Sequence, residues 1–117
     1  MHSEELLQLA QTSLEDLKAR DVSVFDVRDM TSVTDYLLIA TGTSDRHVRS
    51  LSDKLIQNVK QAGLSPLGVE GQDSGEWVLI DLNDVIVHVM QPRTREFYKL
   101  EDLWTLGDRD GLEQAGH

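Results

Sequence analysis

The sequence predicts an α+β fold with a single domain, in which helices pack on one mixed five-stranded sheet. Two observations support this prediction. The 117 residues are enough for one modest hydrophobic core. Their apolar residues switch between helical and strand spacing in the order helix, strand, strand, helix, strand, strand, strand, helix. We therefore expect a domain over residues 1–104, followed by a flexible tail over residues 105–117, which are rich in glycine and polar residues.

Helical spacing predicts two long helices. The first covers residues 3–20, with Ser3 as its N-cap. The second runs from about Ser44 to Ala62 and stops at Gly63. In each helix, apolar residues three or four positions apart form a stripe that we expect to be buried. These residues are Leu7, Ala10, Leu14 and Leu17 in the first helix, and Val48, Leu51, Leu55, Val59 and Ala62 in the second.

Strand patterns fill the remaining segments. Five strands are predicted, over residues 22–27, 33–41, 67–70, 77–82 and 85–90. The second has an unbroken apolar centre, which indicates that both of its faces are covered. Asn83 and Asp84 form a tight hairpin turn between the last two strands. A short third helix then follows, with Phe97, Leu100 and Trp104 on one side.

Charge and composition limit the function. The formal net charge is −10, so we expect little direct binding to nucleic acid, which requires clustered Lys and Arg. No basic residue lies between Lys60 and Arg93, whereas five acidic residues do. If they share a face, they would attract a basic partner; the alternative is a solvated acidic surface. These five are Glu70, Asp73, Glu76, Asp81 and Asp84.

Two features that the sequence lacks, cysteines and long apolar runs, bear on the expected cellular location. There are no cysteines, which suits a cytoplasmic protein. No apolar run approaches the roughly 20 residues that span a bilayer, so we expect no membrane association.

An enzyme site is one interpretation of the turn that includes Gly42 and Ser44, which lies between a strand and a helix. Nucleotidyltransferases have a similar turn and add carboxylates that hold magnesium, for which Glu70, Asp81 and Asp84 are the candidates. The paired spacing of those carboxylates is missing, and there is no phosphate-loop pattern. The other interpretation is structural: Gly42 makes the turn and Ser44 caps the helix.

The histidines offer a second enzymatic interpretation. His47 and His88 could join Asp81 in a metal or acid–base set. The sequence provides no third close ligand and no nucleophile, so we expect no catalytic residue, metal or cofactor.

A protein interface is the competing interpretation. Aromatic residues and Met crowd the last third of the chain, where Arg93 and Arg95 lie nearby, and this composition is typical of interface contacts. Core packing is the alternative, and it stays open for Phe97 and Trp104. We expect a surface role for Tyr98 and His88. The crowded residues are Trp77, His88, Met90, Phe97, Tyr98 and Trp104.

Four blocks of sequence resemble the family of ribosomal silencing factors RsfS, which is related to the plant Iojap protein. The blocks are TDYLLIATGTSDRHV at residues 34–48, PLGVEG at 66–71, WVLIDLNDVIVHVM at 77–90 and REFYKLEDLW at 95–104. The resemblance covers about residues 6–104. One departure is Asn83, where the family usually has Gly; because Asn tolerates positive φ, we expect the turn to survive.

The resemblance implies a function without catalysis. Its members have a nucleotidyltransferase-like core that has lost its catalytic carboxylates. They bind the large ribosomal subunit through ribosomal protein L fourteen, block joining of the small subunit and so lower translation when nutrients are scarce. A nucleotidyltransferase-like enzyme is the alternative, and a homodimer of the free protein also stays open. We place the partner-binding surface on Glu70, Trp77, Asp81, His88, Met90, Arg95 and Tyr98.

Overall fold

A computed structural model describes residues 1–104 of the chain. It confirms the α+β class, the mixed five-stranded sheet and the order of the elements. The elements are α1 (Ser3–Asp16), β1 (Arg20–Asp26), β2 (Tyr36–Thr41), α2 (Asp45–Gln61), β3 (Gly68–Glu70), β4 (Trp77–Asp81), β5 (Val85–Met90) and α3 (Pro92–Tyr98). After α3, residues 100–104 are again helical. The tail expected over residues 105–117 lies outside the described residues.

The sheet has the strand order β1-β2-β5-β4-β3. Among the strands of residues 1–104, β2 and β5 form the one parallel pair; the three other pairs are antiparallel. The hairpin between β4 and β5 closes where the backbone N–H of Leu82 donates to the carbonyl oxygen of Val85, at 2.9 Å. Asn83 in this turn has a φ of 75°, so the expectation that Asn would keep the turn is confirmed.

The main core lies between the sheet and the two long helices. The predicted stripe of α2 is buried there from Val48 to Val59, because its apolar residues recur at helical spacing. Ala62, also predicted in this stripe, is the C-cap and is exposed. Every residue of β2 is buried, which confirms that both faces of this strand are covered. The strands contribute alternate residues to this core: Leu38 and Ala40 from β2, Val78 and Ile80 from β4, and Val85, Val87 and Val89 from β5.

A second, smaller cluster lies on the opposite face of the sheet. It contains Val27, Leu37, Ile39 and Met90, with Leu100 and Trp104 packed against it. Residues 100–104 therefore cover part of this face. Phe97 does not join them: its side chain is 77% exposed, so the expectation that Phe97, Leu100 and Trp104 share one side is wrong.

The boundaries of the first two elements differ from the prediction. His2 is the N-cap of α1 and Ser3 is already helical; the backbone N–H of His2 donates to the Glu5 carboxylate at 3.0 Å. The helix ends at Asp16 rather than residue 20, because Lys18 adopts a φ of 63°, which an α-helix cannot continue. β1 begins at Arg20, so the chain turns directly from α1 into the sheet. Among residues 1–104, no helix combines the length and apolar character needed to cross a bilayer.

Candidate functional site

The face of the sheet opposite α1 and α2 brings most of the proposed partner-binding residues together. Glu70 pairs with Leu79, which pairs with His88, so these three side chains form one row across β3, β4 and β5. Asp81 and Ile86 form the next row. We call this surface the open face. It consists of Glu70, Trp77, Leu79, Asp81, Ile86 and His88, with Phe97 and Tyr98 of α3 at its end.

Three aromatic rings meet at that end. The ring centroids of Trp77 and Tyr98 are 4.8 Å apart, and those of Phe97 and Tyr98 are 5.0 Å apart with an edge-on angle of 84°. Tyr98 is nevertheless 53% exposed, and Phe97 more so. Neighbouring exposed aromatics of this kind are typical of a surface that a partner covers.

His88 is almost fully buried within the open face, at 8% exposure. Its Nδ1 accepts a hydrogen bond from the indole Nε1–H of Trp77 at 3.0 Å. Burial lowers the pKa of His88 to about 4, because the charged form would lose its hydration. The ring is therefore neutral at pH 7, and the expected surface role of His88 is wrong.

Met90 and Arg95 are also not presented to solvent as expected. Met90 is fully buried opposite Trp77, and its carbonyl oxygen accepts from the backbone N–H of Gly42 at 3.0 Å. A side chain with no exposed surface cannot contact a partner, so the expectation that Met90 contacts the partner is wrong. Its role is to fill the second cluster beneath the aromatic rings.

The guanidinium of Arg95 connects α3 to strands β1 and β2 of the sheet. It forms an ion pair with Glu101 at 2.8 Å, and the Arg95 side chain is only 13% exposed. It also donates to Asp21 O at 2.6 Å, Thr41 Oγ1 at 2.9 Å and Ser23 Oγ at 3.0 Å. The expectation of a direct partner contact by Arg95 is therefore corrected: its donors are used within the fold, where they position α3.

The acidic residues are divided between the open face and its surroundings. Glu70 is exposed and Asp81 is half-buried, and both side chains lie on the open face. The Asp81 carboxylate also accepts from the backbone N–H of Asn83 at 2.8 Å, which helps to close the hairpin. Asp73 and Glu76 are exposed in the loop between β3 and β4, and Asp84 lies in the hairpin turn.

The turn before α2 uses its polar groups for structure. Ser44 Oγ accepts from the backbone N–H of His47 at 3.1 Å, which confirms that Ser44 is the N-cap. The imidazole of His47 accepts from the backbone N–H of Thr43 at 2.9 Å and contacts Leu17 O at 2.7 Å. A Cβ on Gly42 would lie 2.7 Å from Val48 Cγ2, so glycine lets the turn approach α2.

The carboxylates proposed for an enzyme lie far from this turn. Thr41, next to the turn, pairs through Met90 with Trp77, whereas Asp81 lies four residues further along β4. At about 3.3 Å per residue, that separation is roughly 13 Å. Within residues 1–104, no three His, Asp or Glu side chains are positioned to share a metal ion. The geometry gives no support to a magnesium site at Gly42–Ser44.

Two apolar members of the open face were not predicted from the sequence. Leu79 lies between Trp77 and Asp81 on the same side of β4, and Ile86 pairs directly with Asp81. Alternation along β4 was a usable signal for Leu79, because residues two apart share a face. The position of Ile86 depends on strand register, which the turn at Asn83 and Asp84 determines.

Comparisons with known proteins agree with one another. A family model described as ribosomal silencing factor during starvation matches residues 1–116. The ribosomal silencing factor of Haemophilus influenzae is 43% identical over 99 residues, which cover 85% of this chain and 97% of that protein. A crystal structure of a protein from Chromobacterium violaceum is 42% identical, with a TM-score of 0.88 over 90% of this chain and 88% of that one.

A more distant relative is mitochondrial. The Mus musculus protein named mitochondrial assembly of ribosomal large subunit protein 1 is 37% identical over 95 residues. They cover 79% of this chain and 42% of the mouse protein. Both sets of names refer to the ribosome, and neither describes an enzyme.

Proposed function

Because this chain belongs to the family of ribosomal silencing factors RsfS, we propose that it represses translation by binding the large ribosomal subunit. In this proposal the open face docks on ribosomal protein L fourteen, and the bound protein prevents the small subunit from joining. The effect would lower translation under nutrient limitation, in keeping with the starvation role in the family description. The name of the mouse relative supports the large subunit as the partner.

One observation carries the proposal: exposed aromatic rings and carboxylates share a single face of the sheet. Tyr98 and Phe97 offer large apolar surface, and Glu70 is exposed on β3, two strand widths from β5. Aromatic side chains at the centre of an interface supply most of the binding energy, and charged residues around them direct the approach. The partner that fits is an apolar surface with basic groups beside it.

Charge favours a protein partner over ribosomal RNA. The formal net charge of −10 opposes binding to a phosphate backbone, which requires Lys and Arg to replace counterions. A basic ribosomal protein has the complementary charge and would be attracted over about a Debye length, roughly 8–10 Å at physiological salt. We therefore propose little direct contact with nucleic acid.

Steric exclusion requires only that the docked protein be thick enough to keep the two ribosomal subunits out of contact. Its principal dimensions are 46 × 33 × 21 Å, so even its thinnest direction separates two docking surfaces by about 21 Å. Direct contacts between two macromolecular surfaces require heavy atoms within about 4.5 Å of one another. A docked molecule of this size would prevent subunit contact without any chemical step, and this proposal places the protein in the cytoplasm with the ribosomes.

Cosedimentation with purified subunits tests the binding step. The wild-type protein should pellet with large subunits and remain in the supernatant with small subunits. Tyr98→Ala should weaken binding about thirtyfold, which corresponds to about 2 kcal/mol for a central aromatic contact. Val33→Ala is the matched control, because Val33 is 72% exposed in the loop before β2. Equal binding by the wild type and Tyr98→Ala would show that the open face is not the docking surface.

We also propose that the free protein pairs with a second copy through the same aromatic residues. Exposed rings are costly to leave in water, and a twofold arrangement would cover both sets. Sedimentation equilibrium should then show a dimer that dissociates when large subunits are added. A dimer unaffected by Tyr98→Ala would place self-association elsewhere.

A further inference from the structure

The contact between His88 and Trp77 gives a largely buried histidine an indirect way to affect the open face. His88 is neutral and its Nδ1 is an acceptor, so the ring must carry its proton on Nε2. The imidazole lies beneath the surface, with its centroid 5.8 Å from that of Trp77. The exposed fraction of His88, 8%, leaves little area for direct contact with a partner, so its main effect on a partner passes through the indole.

Trp77 is held on two sides. Its only polar atom, Nε1, donates to His88 within the protein, and its ring also lies against Tyr98. Because Nε1 is already paired, the indole offers a partner its carbon atoms and no free donor. A partner that covers Trp77 does not need to supply a hydrogen-bond acceptor, and the side chain loses little rotamer freedom on binding because it is already fixed.

We propose that His88 is a positioning residue, which holds the indole N–H of Trp77 so that the ring presents only carbon to the partner. This inference rests on the proposed function, because it concerns the same docking face. It adds a requirement on the partner: the group that covers Trp77 is apolar, such as an aliphatic side chain or the methylene stem of a Lys or Arg, with its charge near Glu70 or Asp81.

Two substitutions distinguish the effect of the hydrogen-bond acceptor of His88 from the effect of its side-chain volume. His88→Asn keeps an acceptor oxygen at about the position of Nδ1, whereas His88→Leu has a similar volume and no acceptor. Binding of the full-length protein to purified large subunits should weaken about tenfold in His88→Leu and less than about threefold in His88→Asn. In a Trp77→Ala background, His88→Leu should cause no further loss, because the residue acts through the indole.

Indole NMR signals provide a readout that does not depend on the ribosome. The Trp77 Nε1–H signal should exchange slowly with solvent in the wild type and in His88→Asn, and rapidly in His88→Leu. Trp104 is the internal control, since its indole forms no hydrogen bond with His88 within residues 1–104. Circular dichroism confirms that each variant is folded.

Three results would overturn the inference. One is an unchanged Trp77 signal in His88→Leu, and another is equal loss of binding in His88→Asn and His88→Leu. The third is a full additional loss from His88→Leu on top of Trp77→Ala, which would mean that His88 meets the partner directly. Failure of the proposed function is distinct: the wild type would then not bind large subunits at all, although the indole signals would still behave as stated.

Discussion

His88 shows how the position of a single residue determines its protonation and its effect on stability. Burial lowers its pKa in the folded state to about 4, from 6.5 for a free side chain. The unfolded chain therefore binds the additional proton first as pH falls. The contribution of His88 to stability is complete above pH 6.5 and is lost progressively between pH 6.5 and 4.

The size of this effect can be measured. A shift of this extent corresponds to roughly 3 kcal/mol in the free energy of unfolding. Urea unfolding at pH 7 and pH 4.5 should show a smaller loss of stability in His88→Leu than in the wild type. Carboxylates titrate in both proteins, so the difference between the two isolates the histidine. Identical pH dependence in the two proteins would contradict the assignment of a depressed pKa to His88.

Residue type was a good guide to the chemistry of the open face and a poor guide to exposure. Tyr98 and Glu70 are on the surface, as the sequence suggested, but His88 and Met90 are buried. In β5 the sequence Val-His-Val-Met offers no clear alternation, because the strand is covered on both faces. Which side is accessible depends on where residues 100–104 pack, and that information is not contained in the strand itself.

At the scale of elements, Arg95 links α3 to the sheet. Removing the guanidinium would leave Glu101 without its partner and three acceptors on β1 and β2 without their donor. Breaking a largely buried ion pair from one side typically costs about 3 kcal/mol. The same change should also weaken ribosome binding, because α3 carries Phe97 and Tyr98.

The test compares two arginines of the same helix. Arg95→Met should lower the free energy of unfolding by about 2–3 kcal/mol in urea titration. Arg93→Met should change it by less than about 0.5 kcal/mol, since Arg93 is exposed on α3. If both substitutions had the same small effect on the free energy of unfolding, Arg95 would not hold α3 against β1 and β2.

The order of the elements could be predicted because periodicity persists over whole segments. The stripe of α2 and the apolar runs of β4 and β5 are long enough to identify their type. Element ends were less predictable: α1 stops at Asp16 because of the backbone conformation at Lys18, and no glycine signals that break. Arg95 donates hydrogen bonds to residues more than 50 positions away in the sequence, so local patterns do not reveal these bonds.

At the scale of the whole molecule, the negative charge should accelerate association with a basic partner. Raising monovalent salt from about 0.05 M to about 0.5 M should lower the association rate constant roughly tenfold, with little change in the dissociation rate. Stopped-flow measurements with labelled protein and purified large subunits provide both constants. An association rate that does not respond to salt would remove the steering role from the carboxylates.

A pair of matched double substitutions locates the charges responsible. Glu70→Gln with Asp81→Asn neutralises the open face, and Asn at residue 81 can still accept from the Asn83 N–H. Glu15→Gln with Asp16→Asn removes the same charge from the end of α1. The first pair should reduce the salt dependence more than the second. Equal effects would mean that net charge, and not the open face, directs the encounter.

The central claim is that the docked protein prevents the two ribosomal subunits from joining. Light scattering of purified large and small subunits, mixed with and without a saturating excess of the protein, measures joining directly. Wild-type protein should reduce the scattering increase to near the level of separate subunits, and Tyr98→Ala at the same concentration should restore most of it. Full joining in the presence of bound wild-type protein would contradict the account.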